Sequence, residues 1–389
     1  MKVLHFGRFY HAHFGGLERV VSLLLKGLSR SVEVTNLVAN ERFGTDVLEV
    51  DGYRVYKVPS LGLIAGAAIC PTMPFWARRL HREQRFDIAH LHFPDPMSHF
   101  AAAALPARVK LVISWHSDII RQKRLLKLYR PFLDRIVARA DAIIGATPLH
   151  LSSSTQLGAC RDPERLRVVP YGIDFAPFDS PQAVTAGAEL KRQLGRRYVI
   201  FALGRHVYYK GFEFLVRAMR EVRDDAVLVI GGTGPLTGPL RELAATLGLG
   251  ERVLFTGRIP EETLPAYYHA ADVFCLPSVE PSEAFGLVQV EAMACRKPVV
   301  SCELGNGVSY VNRNGTTGLV VPPRDPPALA AALNRLLEDG ALRKKMGDAG
   351  HARAKSEFTL ERMGDGMLAV YRQVIGNREL GKTIPTHRG

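Results

Sequence analysis

The 389-residue sequence is 47% hydrophobic and 23% charged, a globular composition that excludes extensive disorder except at the C-terminal end. This length exceeds what one ordinary hydrophobic core organises, so it predicts two domains. The formal net charge of +13 favours an anionic partner, such as phosphates, a lipid surface or nucleic acid.

The N-terminal residues Met1 to Gly7 lack the apolar core and cleavage site of a signal peptide and read as a first strand. The uncharged run Leu61–Ala77 contains Pro71 and Pro74 and falls short of a membrane-spanning helix. The cysteines show no Cys-x-x-Cys spacing and read as reduced thiols, and no zinc pattern or Asp-x-Asp pair is present. We therefore expect a cytoplasmic protein that needs no metal or cofactor.

In the first half, short apolar runs alternate with helical patterns, as in a parallel α/β architecture. The first helix is predicted over Gly16 to Ser29, where apolar residues recur at three- and four-residue spacing. The predicted strands are Lys2–Phe6, Val32–Leu37, Ile88–His92, Lys110–Trp115 and Ala142–Ala146.

A second alternation begins near Tyr198, after a turn-rich linker. Its predicted strands are Tyr198–Leu203, Ala226–Ile230, Arg252–Thr256, Val273–Leu276, Pro298–Ser301 and Gly318–Val320. We expect an N-terminal domain over 1–170, a linker over 171–185, a second domain over 186–359 and a tail over 376–389. A final helix over about 360–375 is expected to pack back on the first domain. The predicted fold is two doubly wound α/β domains with a ligand in the cleft between them.

Two motifs in the first half lie where such sheets bind ligands. Gly15 and Gly16 stand between the first strand and the first helix, where glycines permit a tight turn and leave amides facing a phosphate. His116 follows a predicted strand, at the edge of the sheet where open α/β folds hold ligands. A plain turn and a structural histidine are the alternative interpretations.

In the second half, Arg205 and Lys210 share one loop after the first strand of that half. Two cations beside a helix start suit a diphosphate, Arg through bidentate contact and Lys as a point charge. Another strand end carries Gly257 and Arg258, which are candidates to border the base of a nucleotide. Solvated surface loops are the alternative for both.

The most informative stretch runs from Ser282 to Ala294, where Glu283 and Glu291 bracket a Phe-Gly-Leu step that reads as a loop feeding a helix. Backbone N–H groups at Phe285, Gly286 and Leu287 would form an anion site at the helix start. Two carboxylates that can accept hydrogen bonds from hydroxyl groups, one on each side of an anion site, suit a sugar nucleotide. The alternative interpretation is an amphipathic helix with two solvated glutamates.

Together these motifs resemble the retaining glycosyltransferases of family 4, and similar chains include bacterial polysaccharide mannosyl- and rhamnosyltransferases. The resemblance covers about residues 1–375 and implies the GT-B fold, two Rossmann-like domains facing across a cleft. The second domain would bind the nucleotide-sugar donor and the first the acceptor. One departure is Tyr171, where Asn is common before Gly-(Val/Ile)-Asp.

The resemblance also implies residue roles. The Gly15-Gly16 loop approaches the donor diphosphate and sugar, and His116 lies near the donor sugar. The remaining matches are Arg205 and Lys210 on the diphosphate, Glu283 on sugar hydroxyls and Glu291 on ribose. The reaction implied is metal-independent transfer of a hexose with retained configuration, with GDP-mannose or a related GDP-sugar as the favoured donor.

A basic amphipathic helix is predicted from Arg121 to Val137, a pattern that can bind an anionic membrane. With the proline-broken run Leu61–Ala77 it favours a peripheral protein on the inner face of the cell membrane, with a glycan or polyprenyl-linked acceptor in surface polysaccharide or lipopolysaccharide synthesis. A solvated helix face is the alternative. Other open functions are a UDP-sugar transferase, a hydrolysing sugar-nucleotide epimerase and a non-catalytic binding module, although no nucleic-acid motif is present.

Overall fold

The computed structural model describes residues 1–10, 16–64, 67–119 and 122–380. It divides the chain into two compact units. Unit 1 comprises Met1–Gly172 together with the C-terminal segment from Leu360, and unit 2 comprises Ile173–Thr359. In the described parts of the chain, no helix has the length and apolar character needed to cross a membrane.

Unit 1 contains an eight-stranded sheet in the order β10-β9-β8-β7-β1-β2-β4-β3, parallel except for the antiparallel pair β3–β4. A separate two-stranded hairpin, β5–β6, is antiparallel. The strands are β1 Lys2–Gly7, β2 Glu33–Ala39, β3 Asp46–Val50, β4 Tyr53–Val58, β5 Leu63–Ile64, β6 Ala67–Ala68, β7 Ile88–Phe93, β8 Lys110–Trp115, β9 Ala142–Gly145 and β10 Leu166–Val168.

Helices cover both faces of this sheet, so its central strands are buried on both sides and read as continuous apolar runs. Every residue of β7 is buried, for example. The first five helices of the unit are α1 Gly16–Leu28, α2 Met73–Gln84, α3 Pro96–Ala103, α4 Lys123–Arg139 and α5 Pro148–Ser152.

Unit 2 contains a six-stranded parallel sheet in the order β13-β12-β11-β14-β15-β16. Its strands are β11 Tyr198–Leu203, β12 Ala226–Gly231, β13 Val253–Gly257, β14 Val273–Leu276, β15 Val299–Cys302 and β16 Gly318–Val321. Its helices are α6 Pro181–Leu194, α7 Phe212–Ala218, α8 Thr237–Thr246, α9 Leu264–Ala270, α10 Leu287–Ala294, α11 Gly307–Val311, α12 Pro326–Glu338 and α13 Gly340–Glu357. Helix α6 begins inside the linker predicted over 171–185.

The strand order of unit 2 fixes where a ligand is expected. From β11 the chain winds outwards through β12 to β13, then returns to β14 on the other side of β11. Loops that follow β11 and β14 therefore diverge at the carboxyl edge of the sheet, and this switch point is where open α/β sheets bind ligands.

The C-terminal helix, α14 Leu360–Leu380, belongs to unit 1 and packs against α1. Its apolar residues Met363, Met367, Val370 and Tyr371 are buried in the core on one face of the eight-stranded sheet. The helix therefore covers that face of the sheet, although it is distant in sequence from the strands. The prediction of doubly wound α/β architecture is confirmed.

Candidate active site

A buried ion pair occupies the switch point of unit 2. Lys210 follows β11 and Glu283 follows β14, and Lys210 Nζ contacts Glu283 Oε2. Each side chain is only 11% exposed. The Ser278 hydroxyl donates a hydrogen bond of 3.0 Å to the same carboxylate oxygen.

Burial alone would lower the pKa of Lys210, but the Glu283 carboxylate and the neighbouring Tyr209 together more than offset this, so the pKa is raised above its usual value. Lys210 is therefore a positive charge held in a poorly solvated position. The structure brings together the lysine and the glutamate that the sequence predicts at this site.

Gly211 permits the close approach of the two loops that carry this pair. Its φ of 65° lies in the left-handed region, and a Cβ atom there would lie 2.1 Å from the carbonyl oxygen of Pro277. The Val279 amide donates to the Tyr209 carbonyl at 2.8 Å, which joins the same two loops. The ion pair is thus positioned by backbone contact between the loops after β11 and β14.

Arg205 lies in the same loop as Lys210, but its side chain is exposed. The loop around it packs against the loop after β12, where a Cβ atom on Gly232 would lie 2.0 Å from the Gly204 carbonyl oxygen. Arg258 is also exposed, directly after β13 and Gly257. The structure thus places two exposed arginines in loops that follow strands of unit 2, while Lys210 alone of the three predicted cations is buried.

The Phe-Gly-Leu step forms the start of α10. Gly286 adopts the left-handed conformation at the N-cap, with φ 71° and ψ 62°, and its helix has no side-chain cap among the described residues. Phe285 is buried against Phe358, with ring centroids 5.7 Å apart. Asn306 holds the preceding loop by donating to the Glu283 carbonyl at 2.8 Å. The helix N-terminus, with its partial positive charge, therefore follows directly on the loop that carries Glu283.

The two glutamates of the motif have different environments. Glu291 lies within α10 and is fully buried, and the Tyr268 hydroxyl donates to its Oε2 at 2.5 Å. Glu283, by contrast, lies in the loop and pairs with Lys210. Ribose contact by Glu291 stays a prediction, and its carboxylate is not exposed in this structure.

The remaining predicted residues belong to unit 1. His116 follows β8 and is 7% exposed. Its Nε2 pairs with His92 Nδ1 at 3.0 Å, and its Nδ1 pairs with the Tyr171 hydroxyl. Gly16 begins α1, and Gly15 lies outside the described residues. The residue that departs from the family pattern, Tyr171, is thus a hydrogen-bond partner of a predicted site residue.

Sequence reasoning missed three buried histidines of unit 1, one of which, His92, contacts His116. His5, His90 and His92 are buried. One ring nitrogen of each histidine lies within 4.8 Å of a ring nitrogen of each of the other two. Burial lowers the pKa of His5 to about 3, and holds the pKa values of the other two well below the usual range. All three are therefore neutral at pH 7, and their ring nitrogens are hydrogen-bonded to one another, to His116 or to hydroxyl groups. The alternation His-x-His on one strand was the available signal, because it places both rings on one face.

Comparison with known proteins decides the family. Residues 189–353 match the model for glycosyl transferases group 1, and residues 14–176 match the model for glycosyltransferase family 4. The O-antigen chain mannosyltransferase C of Escherichia coli is 30% identical over 386 residues, covering 97% of this chain and 100% of the relative. The chain belongs to the family 4 glycosyltransferases. The resemblance predicted from the motifs is confirmed.

Two further relatives of this glycosyltransferase are similar over most of its length. The D-rhamnosyltransferase WbpZ of Pseudomonas aeruginosa is 34% identical, covering 92% of both chains. A GDP-mannose-dependent alpha-(1-6)-phosphatidylinositol monomannoside mannosyltransferase of Mycolicibacterium smegmatis is 30% identical, covering 86% of this chain and 89% of the relative.

The solved structure of sucrose-phosphate synthase from Thermosynechococcus elongatus superimposes with a TM-score of 0.80. The match covers 97% of this glycosyltransferase and 100% of that chain at 24% identity, so it concerns the fold alone. The predicted GT-B fold is confirmed.

Proposed function

We propose that this glycosyltransferase transfers mannose or a related hexose from a GDP-sugar, with retained anomeric configuration and without a metal, to an acceptor in cell-surface polysaccharide synthesis. The observation that carries the proposal is the buried Lys210–Glu283 pair at the switch point of unit 2. The choice of sugar follows the mannosyl- and rhamnosyltransferases among the relatives. The choice of base follows the GDP-mannose-dependent relative.

Stabilisation of the departing diphosphate is the main task of such a site, because negative charge develops on the leaving oxygen. Lys210 supplies a positive charge that burial makes effective, and Arg205 adds an exposed cation from the same loop. The N-terminus of α10 adds its dipole beside Gly286. Loss of one such donor typically costs ~3–4 kcal/mol of transition-state stabilisation.

The chemical step is a displacement on one face of the sugar. The bond between the anomeric carbon and the diphosphate oxygen breaks, and a bond from the acceptor oxygen to that carbon forms on the same face. The acceptor hydroxyl proton passes to the departing diphosphate, which leaves as GDP. Lys210 neutralises the charge that this diphosphate gains before it accepts the proton.

Glu283 has two roles in this scheme. In the unliganded enzyme it is the counter-ion of Lys210, and Ser278 orients it. When the donor binds, the diphosphate becomes the counter-ion of Lys210 and frees the Glu283 carboxylate to accept hydrogen bonds from sugar hydroxyls. Gly15, Gly16, His116 and Glu291 keep the roles that the resemblance implies, and Arg258 stays a candidate to border the base of the nucleotide.

A membrane-bound acceptor is supported by exposed apolar side chains in unit 1. Leu125 and Leu128 of the basic helix α4 are 53% and 83% exposed. Leu63 and Ile64 of β5 are 56% and 61% exposed, and Phe75 of α2 is 64% exposed. Helix α3 packs against α2, β6 and α4 and so links these elements. Leucines beside lysines and arginines suit an anionic lipid surface, where a polyprenyl-linked acceptor would reside.

A panel of GDP-, UDP- and ADP-sugars tests the donor. Binding and slow hydrolysis are measured for the wild type, Glu283→Ala and Lys210→Ala. The proposal requires one preferred GDP-sugar and loss of turnover in both variants. Wild-type turnover in both variants would remove these residues from the mechanism. Release of nucleotide diphosphate with an epimerised sugar and no acceptor would instead identify a hydrolysing epimerase.

A further inference from the structure

Seven side chains of unit 1 form one continuous series of hydrogen bonds, which we call the histidine chain. Its members, in order of contact, are Ser114, His90, Tyr371, His5, His92, His116 and Tyr171. The six successive contacts measure 2.5 to 3.2 Å. The series therefore begins at Ser114, two residues before His116, passes through α14 and the central strands, and reaches Tyr171 through His116.

The sheet register explains why these groups meet. His5 of β1 lies opposite His90 of β7, and His92 of β7 lies opposite Ser114 of β8. These side chains share the face of the sheet that α14 covers, and Tyr371 of that helix contacts two of the rings. Six of the seven groups are buried and Tyr171 is partly buried, so the interior of the series is shielded from bulk water.

The protonation states are set by burial. The pKa of each histidine in the chain is lowered, to about 3 for His5 and well below the usual range for the other three. Burial raises the pKa values of Tyr171 and Tyr371, so both remain protonated. Each imidazole therefore carries one proton, on one nitrogen, and uses the other nitrogen as an acceptor.

Proton counting leaves two fully satisfied arrangements. Every interior group donates once and accepts once, so all of them must donate in the same direction along the chain. If they donate towards Tyr171, every histidine carries its proton on Nδ1. If they donate towards Ser114, every histidine carries its proton on Nε2. Any mixture leaves one contact with two protons or with none, or makes Tyr371 accept from both of its histidines with its own buried O–H unpaired. Each of these is a costly fault in a buried network.

We propose that the histidine chain is proton-ordered, so that its four histidines always share one tautomer and its end groups, Ser114 and Tyr171, select the tautomer of His116. The other members are then positioning residues for His116. The arrangement also sets the character of the Tyr171 hydroxyl. It either donates its proton to His116 or accepts from His116 and keeps its proton for another acceptor. The relevance of this order to donor binding rests on the proposed function, in which His116 lies near the sugar. The prediction that the four histidines share one tautomer does not depend on that function.

Removal of either end hydroxyl should drive the chain in opposite directions. In Ser114→Ala, His90 Nε2 loses its partner, and an unpaired lone pair there is less costly than an unpaired N–H. All four histidines should then carry the proton on Nδ1. In Tyr171→Phe, His116 Nδ1 loses its partner, so all four should carry the proton on Nε2. The ratio of tautomers should change by about tenfold or more.

The test is ring-¹⁵N NMR of the full chain labelled in its histidines, which distinguishes the two tautomers without any ligand. His5 is the decisive reporter, because it is the central group of the seven and contacts neither end residue. Ser60→Ala is the matched control, since Ser60 is a buried serine of unit 1 whose hydroxyl donates to the Asn40 carbonyl outside the chain.

The expected result is one shared tautomer in the wild type, opposite tautomers of His5 in the two end variants, and no change in Ser60→Ala. Mixed tautomers in the wild type, or end substitutions that both leave His5 unchanged, would overturn the proposal. Donor turnover is measured on the same samples. Shared tautomers in a protein that transfers no sugar would leave the histidine chain standing and refute only the proposed function.

Discussion

Replacement of Glu283 by Gln should destabilise the enzyme and at the same time preserve or strengthen its binding of GDP. Glutamine keeps the size of the side chain and an oxygen for the Ser278 hydroxyl, but it removes the counter-ion of Lys210. Because both partners are only 11% exposed, Lys210 would remain largely desolvated without compensation. Removal of one partner of a buried pair typically lowers the free energy of unfolding by about 3–5 kcal/mol. Because both side chains keep some exposure, we expect a value at the lower end of this range.

The double-mutant cycle isolates the interaction. Lys210→Met should also be destabilising, because it leaves the Glu283 charge unpaired. The double variant, which lacks both charges of the pair, should be more stable than the sum of the single effects predicts, by about 2–3 kcal/mol. Urea unfolding followed by circular dichroism measures each free energy. The matched control is Lys191→Met, which breaks the Lys191–Asp272 pair of the same unit, where Lys191 is 35% exposed.

The binding arm separates a structural pair from a functional one. In Glu283→Gln the diphosphate of GDP can neutralise Lys210 without displacing a carboxylate, so titration calorimetry should show GDP affinity equal to or above that of the wild type. Additive stability effects, or a large loss of GDP affinity in Glu283→Gln, would refute the reasoning that the diphosphate replaces Glu283 beside Lys210.

Three further predictions concern the loop contact, the buried histidines and the lipid surface. Gly211→Ala should lower the free energy of unfolding by more than about 3 kcal/mol, because its Cβ would meet a backbone oxygen. Gly315→Ala should lower it by only about 1 kcal/mol, because Gly315 has a similar φ but no described atom within 4 Å of the added Cβ. Equal losses in urea unfolding would contradict this. Below pH 6.5 the four histidines of the histidine chain bind protons in the unfolded state but stay neutral in the folded state, because burial lowers their pKa values. The free energy of unfolding of unit 1 should therefore fall by up to about 5 kcal/mol for each pH unit that the pH is lowered. Tryptophan fluorescence reports this, because Trp76 and Trp115 both belong to unit 1, and an unchanged urea midpoint at pH 5 would count against neutral histidines. Leu128→Ser should reduce several-fold the fraction of enzyme that sediments with anionic vesicles, without changing its turnover of a soluble acceptor. Failure of the wild type to bind such vesicles even at low salt would exclude the membrane surface.

The sequence predicted the buried strands well because strands of a parallel sheet are continuous apolar runs. The predicted Lys110–Trp115, Tyr198–Leu203 and Val273–Leu276 match the bounds of β8, β11 and β14. It missed β3 and β4, which form the antiparallel edge of the sheet of unit 1. β3 is mostly exposed, so its acidic and apolar residues resemble a loop.

The site was predictable where its signal is local. Lys210 and Glu283 each lie in a short motif after a strand, and the strand order then brings them together. The histidine chain was not predictable in this way. It joins His5 to His92 and to Tyr371, and contacts over such separations depend on strand register and on the packing of α14. The sequence showed Tyr171 only as a departure from the family pattern, and its hydrogen bond with His116 became visible only in the structure.

The central claim is that Lys210 binds the diphosphate of a GDP-sugar, and calorimetric titration of GDP-mannose, GDP and UDP into the wild type, Lys210→Met and Lys191→Met tests it most directly. The account predicts that the guanine nucleotides bind the wild type more tightly than UDP does. It further predicts that their affinity falls about 100-fold in Lys210→Met, as expected for loss of a charge-assisted contact, and is unchanged in Lys191→Met. Equal affinity in the wild type and Lys210→Met would contradict it.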